Sequence, residues 1–264
     1  MSIALDRGLS VLEHLTRYPQ GLPLSMIASE LDIPLSACHR LLAELQRRDY
    51  VRQARKQGDY VLTTKVVALG LGFLSSAGIV DIAEPLLERL AQSSGELVRL
   101  SIVDEDRLTF VAKAQGPRQA GLRYDPDMGA DARLSCTASG HAWLMTLSDE
   151  RALELVSRQG FGAPADYGPT APTTVKALLG FLHAARVRGY AVIDEVFAPG
   201  MTAVAAPVLR RGQAIGVISI AGPRSRLTPR RLHELAPALL QAVAELGPIS
   251  NASTLFGRPP LGKG

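Results

Sequence analysis

Pro34 sits between two short stretches whose apolar residues recur at helical spacing, and a chain with that arrangement must turn there. Leu24, Ile27, Ala28 and Leu31 form one short stripe. Asp32-Ile33-Pro34 breaks it, because proline disfavours a helical conformation at the residue before it. Beyond the turn, Ser36 stands where a helix cap is expected, and Cys38, Leu41, Leu42 and Leu45 fall at i, i+3, i+4 and i+7. Upstream, Leu5, Leu9 and Leu12, with Val11 and Leu15 alongside, predict a first amphipathic helix that Tyr18-Pro19-Gln20-Gly21 ends. Downstream, Tyr50-Val51-Arg52 and Tyr60-Val61-Leu62 flank Arg55-Lys56-Gln57-Gly58-Asp59, the pattern of a β-hairpin with two cations at its tip. Helix, helix, helix and hairpin in that order predict a winged helix-turn-helix, a module that sets its last helix into the major groove of DNA.

Charge is concentrated in the same place. The 264 residues carry a net charge of +4, and residues 40–65 alone hold seven cations against three carboxylates. At about 100° per residue, the third helix aims its apolar stripe one way and Ser36, Arg40, Ala43 and Arg47 almost directly opposite, with His39 on the flank. An isolated Arg-rich helix would be read as a solvated face. Followed at once by a basic hairpin, this one is read as a DNA-binding surface of Ser36, His39, Arg40 and Arg47 on the helix and Arg55 and Lys56 on the wing. Cys38 falls on the apolar stripe and is expected in the core.

The remaining two thirds read as an α+β domain. Residues 63–74 form an apolar, helix-competent connector loosened by Gly70 and Gly72, with Gly78 before a further helix from Ile79. Val98, Leu100 and Ile102 alternate with Leu97, Arg99 and Ser101, and Leu108, Phe110 and Ala112 with Thr109, Val111 and Lys113, which predicts a hairpin with one apolar face. A late strand is expected over 215–221. Helices are expected over 138–147, 148–157, 175–188 and 229–246, around a mainly antiparallel sheet. Residues 247–264, rich in Gly and Pro, are expected to form a mobile tail.

Several function classes are excluded. The chain has no Gly-x-Ser-x-Gly elbow, phosphate-binding loop, dinucleotide fingerprint or His-Glu-x-x-His, so no catalytic residue is assigned and the chain is read as a non-enzyme. Cys136 and His141 resemble a nucleophile and its base in type only, since five residues apart at a helix start they point differently. Two cysteines, Cys38 and Cys136, supply neither a disulfide framework nor a zinc site, and no cofactor or metal is expected. Apolar runs are broken by glycine short of membrane-spanning length and the N-terminus shows no export signal, so a cytoplasmic protein without membrane contact is expected. Cys136-Thr137-Ala138-Ser139-Gly140 places hydroxyls and amides at a helix start, an arrangement that favours a carboxylate ligand.

Together with this order of features, Ile33-Pro34-Leu35-Ser36-Ala37-Cys38-His39-Arg40-Leu41-Leu42 resembles the IclR family of bacterial transcriptional regulators. The resemblance continues through Ile79 to Glu96, Cys136 to Gly140, Gly189 to Glu195, Pro199-Gly200, Val204 to Val208 and Ser219 to Thr228, about residues 3–247 in all. It implies a winged helix-turn-helix over 1–63, a linker helix over 64–80, a GAF-like effector-binding domain over 81–247 and a flexible tail over 248–264. It implies as partners double-stranded operator DNA, a small-molecule effector and a second copy or three further copies of the chain, as homodimer or homotetramer. By position it assigns to the effector cavity Ala138, Ser139, Ile193, Asp194, Ala203, Ser219 and Ala221, beside Cys136 and Thr137. The chain departs from the family pattern in carrying Leu35 where a basic residue is common, Ile193, Ala203 and Ala221 where polar groups are common, and His141 for lysine. The more apolar lining predicts a carboxylate larger than the smallest keto acids, such as an aromatic acid, with Arg123 as a candidate charge partner. A metabolite-responsive regulator of a catabolic operon, more a repressor than an activator, is therefore expected. The alternative is a ligand-sensing or catalytic GAF-like protein whose DNA-binding head is degenerate, for which Leu35 is the sign.

Overall fold

The computed structural model describes residues 3–54, 58–117 and 129–250, and the chain divides into two compact units, Met1–Ser76 and Ala77–Gly264. The first contains α1 (Ile3–Leu15), α2 (Leu24–Glu30), α3 (Leu35–Arg47), β1 (Val51–Gln53), β2 (Tyr60–Leu62) and α4 (Thr64–Ala77). Its core gathers Val11, Leu15, Ile27, Cys38, Leu42, Val51 and Tyr60. On α1 the buried pair is Val11 and Leu15; Leu5 and Leu9, expected inside, are 58% and 51% exposed. The buried stripe is thus displaced by roughly 100° from the one that Leu5, Leu9 and Leu12 suggested.

The turn at Pro34 is built as the sequence requires, with one change. Asp32 ends α2 in the left-handed region at φ 50°, a conformation that aspartate tolerates better than most residues. Ile33 then donates its amide to the Ala28 carbonyl at 2.9 Å. Helix α3 starts at Leu35 with Pro34 as its cap residue and no side-chain cap, so Ser36 lies inside the first turn, exposed, rather than capping it. Leu22, between α1 and α2, exchanges both backbone hydrogen bonds with Tyr60, at 3.1 and 2.8 Å, and so adds a bridge to the β1–β2 hairpin. Gly21 makes this possible: at φ 94° a Cβ there would lie 2.6 Å from Val61 Cγ1. Val67, Leu69, Leu71 and Phe73 on α4 are each more than half exposed.

The second unit contains α5 (Ile79–Ser94), β3 (Leu97–Asp104), β4 (Arg107–Gln115), α6 (Ala138–Leu144), α7 (Asp149–Gln159), α8 (Val175–Arg188), β5 (Ala191–Asp194), β6 (Met201–Arg210), β7 (Gln213–Pro223) and α9 (Pro229–Ile249). Among the described residues its strands form one five-stranded sheet in the order β4-β3-β7-β6-β5, antiparallel throughout. Helices α5 and α9 pack against the sheet and each other, and α6 with α8 covers the side carrying Phe110, Ala191, Ile193, Ala203, Ala205, Val217 and Ala221. Helix α9 continues to Ile249, past the expected end at Leu246 and into the expected tail, with Ser250 fully buried. The rest of that tail, 251–264, lies outside the described residues.

Sandwiching the sheet changes what its central strands can carry. Every residue of β3 from Leu97 to Ile102 is buried, so the expected hairpin with one apolar face is corrected to a strand covered on both. A β-bulge opposite Leu100 and Ser101 also shifts the alternation of β4, which brings Phe110 to the face occupied by Arg99 and leaves Ala112 on the other.

One charged pair closes the end of this sandwich. Glu96, 4% exposed, lies just ahead of β3 and accepts two hydrogen bonds from Arg226, at 2.6 Å from Nε and 2.9 Å from Nη2. A Cβ at position 222 would lie 2.5 Å from Glu96 Oε2, so glycine there admits the carboxylate. Glu96→Ala removes one partner of a largely buried pair and should lower the stability of this unit by about 3 kcal/mol. Urea unfolding followed by the fluorescence of Trp143, the sole tryptophan and 3% exposed, measures it.

Candidate nucleic-acid interface and effector cavity

In the first unit, burial of Cys38 and Leu42 turns the opposite side of α3 outward: Ser36, His39, Arg40 and Arg47 are all exposed. Leu24, from the start of α2, joins Leu35, Ser36, His39 and Arg40 around a shallow depression. Both helices thus present their first turns, with their positive dipole ends, to the same side. Arg47 is drawn toward Glu44, to which it donates at 2.7 Å, so it is oriented along the helix rather than away from it. On the hairpin Arg52 is exposed and Ala54 donates to the Asp59 carbonyl at 2.9 Å. The tip cations Arg55 and Lys56 lie outside the described residues. Burial raises the Cys38 thiol pKa, in keeping with a packed side chain.

The second unit holds a cavity between the sheet and the start of α6. Register explains its lining. Ala221, Ala203 and Ile193 are consecutive cross-strand partners, and Ser219 pairs with Arg99 on one side and Ala205 on the other, so these side chains share the α6-facing surface. Of the residues expected there, Thr137, Ala138, Ser139, Ile193, Ala203, Ser219 and Ala221 line the cavity. Arg99, Phe197, Met201 and Thr202 line it as well and had not been anticipated. The space there is about 20 Å³, room for about one water molecule.

Among the described residues, two expected ones are not brought there. Asp194 turns to Arg224, accepting from its Nε at 2.7 Å, because its position in β5 alternates with that of Ile193. Cys136 is packed in the core, and burial pushes its thiol up to about 11, so it stays protonated. Arg123 lies outside the described residues. The expected polar helix start is also altered. Helix α6 spans seven residues, and Thr137 Oγ1 already accepts from the Gly140 amide at 2.9 Å and donates to the Arg133 carbonyl at 2.7 Å.

Two polar features mark the cavity wall. Arg99 is buried, with Cζ 3.6 Å from the centroid of the Phe110 ring, which fixes the guanidinium plane. Ser219 Oγ is buried and has no hydrogen-bond partner among the described residues. His141, which follows the cavity segment on α6, is 1% exposed and donates from Nε2 to the Ser135 carbonyl at 2.8 Å. With Nε2 so engaged and the Cys136 thiol protonated, no nucleophile and base pair forms. Among the described residues no cluster of three or more His, Cys, Asp or Glu side chains is placed to hold a metal, and no single helix is long and apolar enough to cross a membrane.

A winged helix-turn-helix with an outward Ser-His-Arg face, followed by a separate α+β unit with a small cavity against its sheet, is the architecture of a one-component transcriptional regulator. The model of the IclR helix-turn-helix domain matches residues 4–55, and that of the bacterial transcriptional regulator IclR C-terminal domain matches 71–247. The chain belongs to the IclR family: it is a DNA-binding transcriptional regulator rather than an enzyme. It is 29% identical over 244 residues to the acetate operon repressor of Salmonella typhimurium, covering 92% of this chain and 88% of that one. A solved IclR transcriptional regulator from Alicyclobacillus acidocaldarius superposes with a TM-score of 0.81 at 23% identity, over 95% of this chain and 99% of that one. An IclR homolog from Microbacterium hydrocarbonoxydans, complexed with 4-hydroxybenzoate, does so with a TM-score of 0.79 at 20% identity, over 95% and 100%.

Burial pushes the His141 pKa down from 6.5 to about 4, against the opposing pull of its bond to the Ser135 carbonyl. The native unit therefore excludes a proton that the unfolded chain binds. Its contribution is whole above pH ~6.5 and is lost as pH falls toward 4, with a slope approaching about 1.4 kcal/mol per pH unit. His141→Gln should show a shallower fall between pH 6.5 and 4.5 than the wild type in urea titrations read at Trp143. Parallel curves would mean that His141 is charged in the folded protein.

Proposed function

We propose that this regulator represses a catabolic operon and that a small carboxylate with a partly apolar body, bound in the α6-side cavity, alters its grip on the operator. The observation that carries the effector reading is the lining: buried Arg99 and the hydroxyl residues Thr137, Ser139, Thr202 and Ser219 beside Ile193, Phe197, Met201, Ala203 and Ala221. Such a wall orients the polar end of a ligand and desolvates its apolar part. The 4-hydroxybenzoate held by the Microbacterium homolog is of this chemical class. The name of the Salmonella relative, acetate operon repressor, supports repression as the mode of control. Entry of an aromatic acid into so small a space requires Phe197 and Met201, on and just after the loop joining β5 to β6, to swing aside, and this displacement is the event that binding would transmit.

Ser36, His39 and Arg40 enter the major groove, Arg47 approaches the backbone, and Arg55 and Lys56 of the wing touch phosphates. Leu35, 56% exposed at the start of α3, favours a second reading in which the head has lost DNA affinity. Fluorescence anisotropy with DNA from upstream of the chain's own gene separates the two. Specific binding supports the first reading, and Arg40→Ala should then cost about 1–3 kcal/mol, while Lys56→Ala should lower the salt slope by about 0.9. Binding no tighter than to unrelated DNA supports the second.

The exposed apolar residues of α4, with Ile3, Leu5 and Leu9 of α1, are covered by a second copy in a symmetric homo-oligomer. Leu71→Glu should shift the mass measured by light scattering toward that of the single chain and weaken operator binding together with it.

A further inference from the structure

We infer that Leu35, backed by Leu24, seats the 5-methyl group of a thymine in the major groove, so that one base of the operator is read through an apolar contact rather than a hydrogen bond. The inference rests on α3 being the helix that enters the major groove, as proposed above.

The same helical arithmetic places both leucines. Leu35 precedes the fully buried Cys38 and Leu42 by three and seven residues, the spacing of the core-facing stripe of α3, yet it is 56% exposed. Side chains lean toward the N-terminal end of a helix, so in the first turn this position projects past the core instead of into it. Leu24 stands in the corresponding place on α2, three residues ahead of buried Ile27, and is half-buried. The turn through Asp32 and Pro34 brings the two helix starts together, and the leucines share one shallow depression with Ser36, His39 and Arg40. An apolar spot rimmed by polar side chains marks an interaction site, and this one is continuous with the face assigned to DNA. The first turn of a recognition helix is the part that reaches base edges. Of the groups that base pairs present in the major groove, the 5-methyl of thymine is the apolar one. A carbonyl, ring nitrogen or amino group set against two leucines would lose its water without gaining a partner. Ser36, His39 and Arg40 at the rim then supply the polar contacts to neighbouring bases and phosphates. Leu35 is a contact of a different kind in a working head, not the mark of a lost one.

The test is anisotropy titration of the full-length protein against its operator duplex, located by footprinting the DNA upstream of the chain's own gene. Each thymine is replaced in turn by uracil, which lacks only the methyl group. The wild type should lose about fourfold in affinity at one thymine position, the worth of one buried methyl group. Leu35→Ala should lose about as much on the unmodified duplex and no longer distinguish thymine from uracil at that position. Leu35→Arg should bind DNA of any sequence more tightly and be equally blind to the methyl group. Leu35 is exposed, so both variants should keep the fold, which circular dichroism melts establish. Specific binding by the wild type with no thymine sensitive to uracil overturns the inference and leaves α3 as the recognition helix. A uracil penalty as large in folded Leu35→Ala or Leu35→Arg as in the wild type does the same. A wild type that binds no DNA above unrelated sequence overturns the recognition-helix reading and this inference together.

Discussion

Burial of the five-stranded sheet on both faces is the constraint on which the sensor unit depends. With α5 and α9 on one side and α6 and α8 on the other, a side chain on β3, β6 or β7 points into a packed layer whichever way it alternates. Polar groups on these strands must then be satisfied, neutralised or aimed at a cavity. Glu96 and Arg226 take the first course at the end of the sheet, held together at two points where glycine leaves room. Ser101 also does so, donating to the Val217 carbonyl at 3.3 Å. Ser219 takes the last, its hydroxyl on the wall of the cavity that Ala203 and Ala221 also line.

The head solves a different problem with the same economy. A domain this short buries little, so each turn carries weight. Pro34 and the left-handed Asp32 fix the angle between α2 and α3, and Leu22 ties the segment before α2 to the hairpin through two backbone hydrogen bonds. The face of α3 opposite its buried stripe is thereby held outward as a rigid surface, which is what reading a groove requires.

Much of this was legible in the amino-acid order. Helix α8 spans the expected 175–188, with Thr174 as its N-cap and the left-handed Gly189 ending it in the structure. The recognition-helix face followed from the burial of Cys38 and Leu42. What could not be read came from tertiary covering. Arg99 was expected on a solvent face because a strand with alternating residues looks one-sided until the second helical layer is known. Phe110 was placed by regular alternation, which a bulge without a glycine to mark it overturned. Leu5 and Leu9 appeared to be core because leucines at helical spacing mark an apolar face without saying what covers it. Asp194, carried to the cavity by family resemblance, faces Arg224 since one residue of register separates it from Ile193.

The central claim is that one chain couples a carboxylate in the sheet cavity to operator binding. Coupling of this kind is reciprocal: the factor by which the ligand changes operator affinity must equal the factor by which operator changes ligand affinity. The direct measurement is the dissociation constant for benzoate, by calorimetry, with and without a saturating concentration of operator DNA, paired with anisotropy titrations of that DNA with and without benzoate. The account predicts two equal factors, both weakening if the protein is a repressor released by its effector. Identical benzoate affinity in the presence and absence of operator would contradict it.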